Sequence, residues 1–240
     1  MNTPDSQAAA SGLRADSPRN ALLALVLLVP APTVGVLAGM WFLPGMVGQS
    51  IYFLSKAWII ALPVLWLLKV DRGRPSWSRP EATSCGVGLL LGLVLGATII
   101  GAYFLLGRSW IDVERFRETA AANGLDTPVR YVVLAIYLCT INALVEEYVW
   151  RWFVFRKCES LRPGYPAVLL SALFFTVHHI FALAAQVPWR VTVLGSIGVF
   201  VGGTVWSWCY LRYRSIWPGY VSHVVADVAI LWIGWRLLFG

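Results

Sequence analysis

Apolar residues run along this chain in long unbroken blocks, not at the spacing of a single helix face. The blocks fall near 21–43, 51–68, 85–106, 130–155, 165–186, 190–211 and 216–238. Each is long enough to cross about 30 Å of hydrocarbon as a helix rising about 1.5 Å per residue. None alternates apolar and polar residues with period two, as strands of a membrane barrel do. The pattern predicts an all-α protein, a polytopic transmembrane helical bundle of about seven transmembrane helices. Residues 1–20 (MNTPDSQAAASGLRADSPRN) are small and polar and read as a disordered tail, ahead of a transmembrane helical domain over 21–240. That domain divides into N-terminal helices with an interfacial loop (21–129) and a C-terminal core (130–240). Mixed charge at helical spacing within 107–129 predicts a short interfacial helix, capped by Gly124 and ended before Pro128.

Composition narrows the class further. Hydrophobic residues make up 58% of the 240 positions and charged residues 13%, about half the usual charged share. Mean hydropathy is +0.69. This excludes a soluble enzyme, a coiled coil and a disulfide-built secreted domain. The net charge of +7 comes without a basic stripe interleaved with aromatics, so the expected partner is membrane lipid and not nucleic acid. Lys and Arg gather in the N-terminal segment and in the connections near 69–79, 156–162 and 212–214. This predicts that these connections and the N-terminus face the cytoplasm. Cys85, Cys139, Cys158 and Cys209 lack CxxC spacing and read as free, apolar thiols. Gly88, Gly92 and Gly96 repeat every fourth residue, a face that lets two helices approach closely.

Ionisable residues inside the blocks carry the functional signal, because charge in hydrocarbon is costly. The fourth block holds Glu146, Glu147 and Arg151; the fifth holds His178 and His179; the seventh holds His223 and Asp227. All three histidines of the chain are among them. Glu147 and Arg151 are spaced i,i+4 with the acid first, the better order for a pair, so this acid reads as supporting. Glu146 is turned about 100° away, with the uncharged Asn142 at i−4, and is free to act as a base. His178 and His179 also lie about 100° apart and are expected to serve different jobs. Asp227, one turn from His223, is placed to orient that imidazole. Amide hydrolysis needs an activated water, an oxyanion partner and a proton for the leaving amine, and a glutamate with two histidines supplies them. The same groups, Glu146, His179 and His223, would be the ligands if a zinc ion were involved. No HExxH is present, and no metal is required by this reading.

In order, Glu146-Glu147-Tyr-Val-Trp-Arg151 is EExxxR, Phe175-Thr-Val-His-His179 is FxxxH, and His223-Val-Val-Ala-Asp227 is HxxxD. The chain thereby resembles the CPBP family (CAAX proteases and bacteriocin-processing enzymes, also called Abi), which includes the type II CAAX endoprotease. The resemblance covers 130–240, which would be the catalytic core. It implies an intramembrane endopeptidase acting on a membrane-anchored or lipid-modified protein or peptide, in a bacterial inner membrane. By the resemblance Glu146 activates water with the FxxxH histidine, His223 and Asp227 stabilise the oxyanion or position substrate, and Glu147 and Arg151 support the site. Phe174 and His178 also spell FxxxH, but the frame ending at His179 follows the small-residue start at Ser171. Asp227 stands where the family often has Asn.

Three other readings stay open. A transporter or proton carrier would need a polar path to both faces, and the other blocks offer little: the second has Ser55 and Lys56 and the third only Thr98, with no evident inverted repeat. A haem protein would use His178 or His179 with His223 and has no need of the glutamate pair. A non-proteolytic immunity or scaffold relative would keep the same fold.

Overall fold

A computed structural model describes residues 17–43, 45–73 and 78–240. Among these residues every regular element is a helix. Seven are long and apolar enough to cross a membrane: α1 (Pro18–Phe42), α2 (Met46–Lys69), α3 (Ala82–Leu105), α5 (Pro128–Leu161), α6 (Tyr165–Ala184), α7 (Trp189–Tyr213) and α8 (Trp217–Phe239). The protein is an all-α, multi-pass membrane protein. Of the tail expected over 1–20, residues 1–16 lie outside the described residues. Its end is helix instead: Ser17 Oγ accepts from the Asn20 amide at 3.2 Å, and Pro18 supplies the first turn, where its missing N–H costs nothing. Within α1 the α-helical path breaks at Val29, where Pro30 restarts it.

The interfacial helix is α4 (Val113–Ala122). Asp112 caps its start by accepting from the Arg115 amide at 3.1 Å. Its end is a Schellman turn, with Gly124 at φ +75° and the Leu125 amide donating to the Ala120 carbonyl at 2.8 Å. Thr127 and Pro128 then open α5. Arg117 Nε donates to the Leu237 carbonyl at 3.0 Å and pins α4 to the end of α8.

Helix packing follows the small residues. α8 lies along α3, where Gly88, Gly92 and Gly96 are the glycines buried in α3. A Cβ at Gly88 would collide with the backbone of Pro218, and one at Gly92 would come within 2.9 Å of Ser222 Cα. α6 and α7 pair the same way, with Gly203 against Ala172 and Phe175. On one face of the bundle the helix ends are tied by polar contacts: Lys157 to Asp71 at 2.9 Å, Arg214 to Glu159 at 2.6 Å, and Trp217 Nε1 to the Ser78 carbonyl at 2.6 Å. The outer surface is apolar, with Leu22, Leu90, Val133 and Val228 more than half exposed, as a lipid solvent allows. The mid-helix ionisable side chains Glu146, Glu147 and Arg151 of α5, His178 of α6 and His223 of α8 are buried instead.

Candidate functional site

α5 is not a uniform helix. Two wide π-type segments, Leu138–Asn142 and Tyr148–Phe155, flank a short α-helical stretch, Ala143–Glu147, that carries both glutamates. Such widenings are rare and recur at functional sites. They bring Asn142, Glu146, Glu147 and Arg151 to one inward region facing α6 and α8.

Glu146 is 8% exposed. Its Oε1 accepts from Asn142 Nδ2 at 2.9 Å, and its Oε2 lies 3.6 Å from His223 Nε2. On α6, His179 Nδ1 is 2.9 Å from the Phe175 carbonyl. A carbonyl only accepts, so Nδ1 carries the proton and Nε2 of the neutral ring is left as an acceptor. The rings of His178 and His179 sit 4.1 Å apart, and His178 stacks on Trp150 at 5.2 Å. Glu146, His178 and His179 each present a ligand atom within 4.8 Å of the others, the set that could hold a metal ion among the described residues.

Glu147 and Arg151 have no exposed surface. Glu147 Oε1 is 3.5 Å from Arg151 Nε and accepts from His223 Nδ1 at 3.1 Å. The Arg151 guanidinium lies 4.8 Å from the Phe175 ring centre and 5.5 Å from that of Trp206, so two aromatic faces share its charge with Glu147. Trp206 in turn stacks on His223 at 3.8 Å and donates from Nε1 to Ser222 Oγ at 3.1 Å. Asp227 Oδ1 is 3.7 Å from His223 Nε2. Gly219 completes the cradle, because a Cβ there would strike Glu147 Oε2.

The residues singled out in the sequence therefore come together: Asn142, Glu146, Glu147 and Arg151 from α5, His178 and His179 from α6, and His223 and Asp227 from α8. Both imidazoles of the His178–His179 pair face Glu146, because side-chain length and ring rotation close the 100° between neighbouring Cα positions. One expectation differs from the geometry. The set within metal-binding reach contains His178, whereas the expected set had His223, whose Nδ1 is taken by Glu147. Sequence reasoning also missed Trp206 and Trp150, the platforms under His223 and His178. A faint signal existed for Trp206, which sits about two turns inside the end of its helix, while membrane tryptophans favour the interface. Lys56 was missed too; its Nζ donates to Asn142 Oδ1 at 3.3 Å.

Residues 128–229 match the family model described as Type II CAAX prenyl endopeptidase Rce1-like. This segment contains every site residue above except Lys56. No curated protein and no solved structure matches the chain.

Proposed function

We propose, for a protein whose residues 128–229 match the Rce1-like type II CAAX prenyl endopeptidase family, that it is an intramembrane endopeptidase with Glu146 as its general base. One observation carries the reading: within that segment, a buried carboxylate faces histidines from two other helices, and each histidine is oriented by a separate partner.

In this reading a water between Glu146 Oε2 and His179 Nε2 gives its proton to Glu146 as its oxygen attacks the peptide carbonyl. With Nδ1 donating to Glu147, an imidazolium at His223 offers its Nε2 proton to the developing oxyanion. The C–N bond then breaks, and the leaving amine takes its proton from Glu146. Asp227 orients His223, while Glu147 and Arg151 hold the site together. The substrate is a membrane-anchored or lipid-modified protein or peptide, entering from lipid. The N-terminus is cytoplasmic and the membrane a bacterial inner membrane. The core corresponds to 130–240, behind the N-terminal helices of 21–129.

This chemistry requires no metal. One observation favours a second, metal-dependent version: Glu146, His178 and His179 fit the donor set of a zinc site, and His179 already has the backbone hydrogen bond that orients a metal-binding imidazole. Cleavage of a panel of membrane-anchored reporter peptides by the purified protein in lipid separates the two. Wild type should cleave, Glu146→Gln should not, and wild type with chelator should retain activity. Loss with chelator, restored by zinc, selects the metal version. Full activity in Glu146→Gln overturns the assignment.

A further inference from the structure

Lys56 sits on α2, ten residues into a helix of otherwise apolar character around it (IYFLSKAWIIALP) and outside the family-matched segment. A lysine at such depth is costly unless something on another helix receives its charge. The receiver is the Asn142 amide, whose Oδ1 is 3.3 Å from Nζ. The Tyr52 ring lies 5.7 Å from the same nitrogen.

This contact has a directional consequence. Lysine has three donors and no acceptor, and an asparagine amide has one oxygen and one NH2 group. With the oxygen facing Lys56, the NH2 must face the other neighbour, which is Glu146 Oε1 at 2.9 Å. A flipped amide would set NH2 against ammonium and oxygen against carboxylate, two repulsive contacts in place of two hydrogen bonds. The amide orientation is thus fixed from both sides, by the carboxylate that takes its NH2 and by the cation on α2 that takes its oxygen. One carboxylate oxygen of Glu146 is tied by Asn142, and the other faces His223 Nε2 at 3.6 Å.

We infer that Lys56 is a positioning residue for the reaction: through Asn142 it fixes which oxygen of Glu146 is bound and which is free to work. The inference rests on the reading of Glu146 as the base. It gives an N-terminal helix, outside the matched core, a direct hold on the chemistry.

The test uses the full chain in lipid bilayers. Infrared difference spectra identify the Glu146 carboxyl band by its loss in Glu146→Gln. Lys56→Met should shift that band, and Lys56→Arg, which keeps a cationic donor at similar reach, should leave it near the wild-type position. In parallel cleavage assays, Lys56→Met should lower kcat about tenfold to a hundredfold with KM within about twofold, and Lys56→Arg should recover most of the loss. Lys56→Met with Asn142→Ala should be no slower than the slower single variant, because both act through one amide. An unmoved carboxyl band, or a double-variant loss equal to the product of the single losses, overturns the inference. The band is read without turnover. Wild-type cleavage by Glu146→Gln would therefore remove the base reading and leave the relay to be judged on the spectrum alone.

Discussion

Glu147 Oε1 on α5 accepts from His223 Nδ1 on α8 at 3.1 Å, and the same oxygen is 3.5 Å from Arg151 Nε. One buried carboxylate therefore serves both the ion pair within α5 and the imidazole on α8. Structure and chemistry share an atom at this point, and substitutions there should not separate them cleanly.

Glu147→Ala strands a guanidinium that has no exposed surface and should cost about 3–5 kcal/mol. It also releases His223, so cleavage should fall with stability. Arg151→Ala should behave alike. The paired change Glu147→Gln with Arg151→Met removes both charges and should recover much of the unfolding temperature in lipid without recovering cleavage. Thermal unfolding run beside reporter cleavage checks both statements. Recovery of both properties together would mean that Glu147 does not act on His223.

The two adjacent histidines should differ in kind. His179 has Nδ1 bound to the Phe175 carbonyl and Nε2 free, so His179→Ala should lower single-turnover cleavage by about a hundredfold or more. His178 stacks on Trp150, with a 9° angle between the rings, an arrangement another aromatic can keep. His178→Phe should stay within about tenfold of wild type if its contribution is packing. A collapse of activity in His178→Phe, combined with chelator sensitivity, would instead favour the metal version of the site.

Much of this was legible in the sequence, for one physical reason. Hydrocarbon makes every inward charge conspicuous, so Glu146, Glu147, Arg151, His178, His179, His223 and Asp227 stood out against apolar blocks. Most block boundaries also came within three residues of the helix ends, while the second block began five residues after Met46 and the fourth stopped six before Leu161. Rotation about the helix axis was less legible. The wide segments Leu138–Asn142 and Tyr148–Phe155 break the uniform 100° step on which a face argument depends. Trp206 and Trp150 carry no charge, so apart from the depth of Trp206 in its helix nothing set them apart from lipid-facing aromatics. Lys56 was visible as a charge, but its partner Asn142 lies on another helix, and sequence spacing says nothing about distance between helices.

Asp227 lies 3.7 Å from His223 Nε2 and is a partly exposed member of the cluster, its side chain 20% exposed. Asparagine has nearly the same shape and keeps an oxygen for His223 while removing one negative charge beside Glu146. Asp227→Asn should retain cleavage within about tenfold, whereas Asp227→Leu, which offers no polar atom, should lose about a hundredfold. Equal loss in both variants would show that the charge itself is needed at this position.

The seam between α3 and α8 provides a test far from any charge. Gly88 and Gly86 lie two residues apart on α3, in the same helical conformation. A Cβ at Gly88 would run into the backbone of Pro218, while one at Gly86 meets nothing within 4 Å. Alanine is better than glycine in a helix by about 1 kcal/mol, so Gly86→Ala should be neutral or stabilising. At Gly88 the same change must push α8 outward, because the obstacle is main chain and cannot rotate away; overpacking of this kind costs about 1–3 kcal/mol. α8 carries His223 little more than one turn beyond Pro218. A shift of about 1 Å there should lower cleavage by about a hundredfold. Opposite signs of the two changes in unfolding temperature, with activity lost only in Gly88→Ala, would establish that the glycine seam sets the position of His223. Matching behaviour of the two variants would show that α8 reaches its place without it.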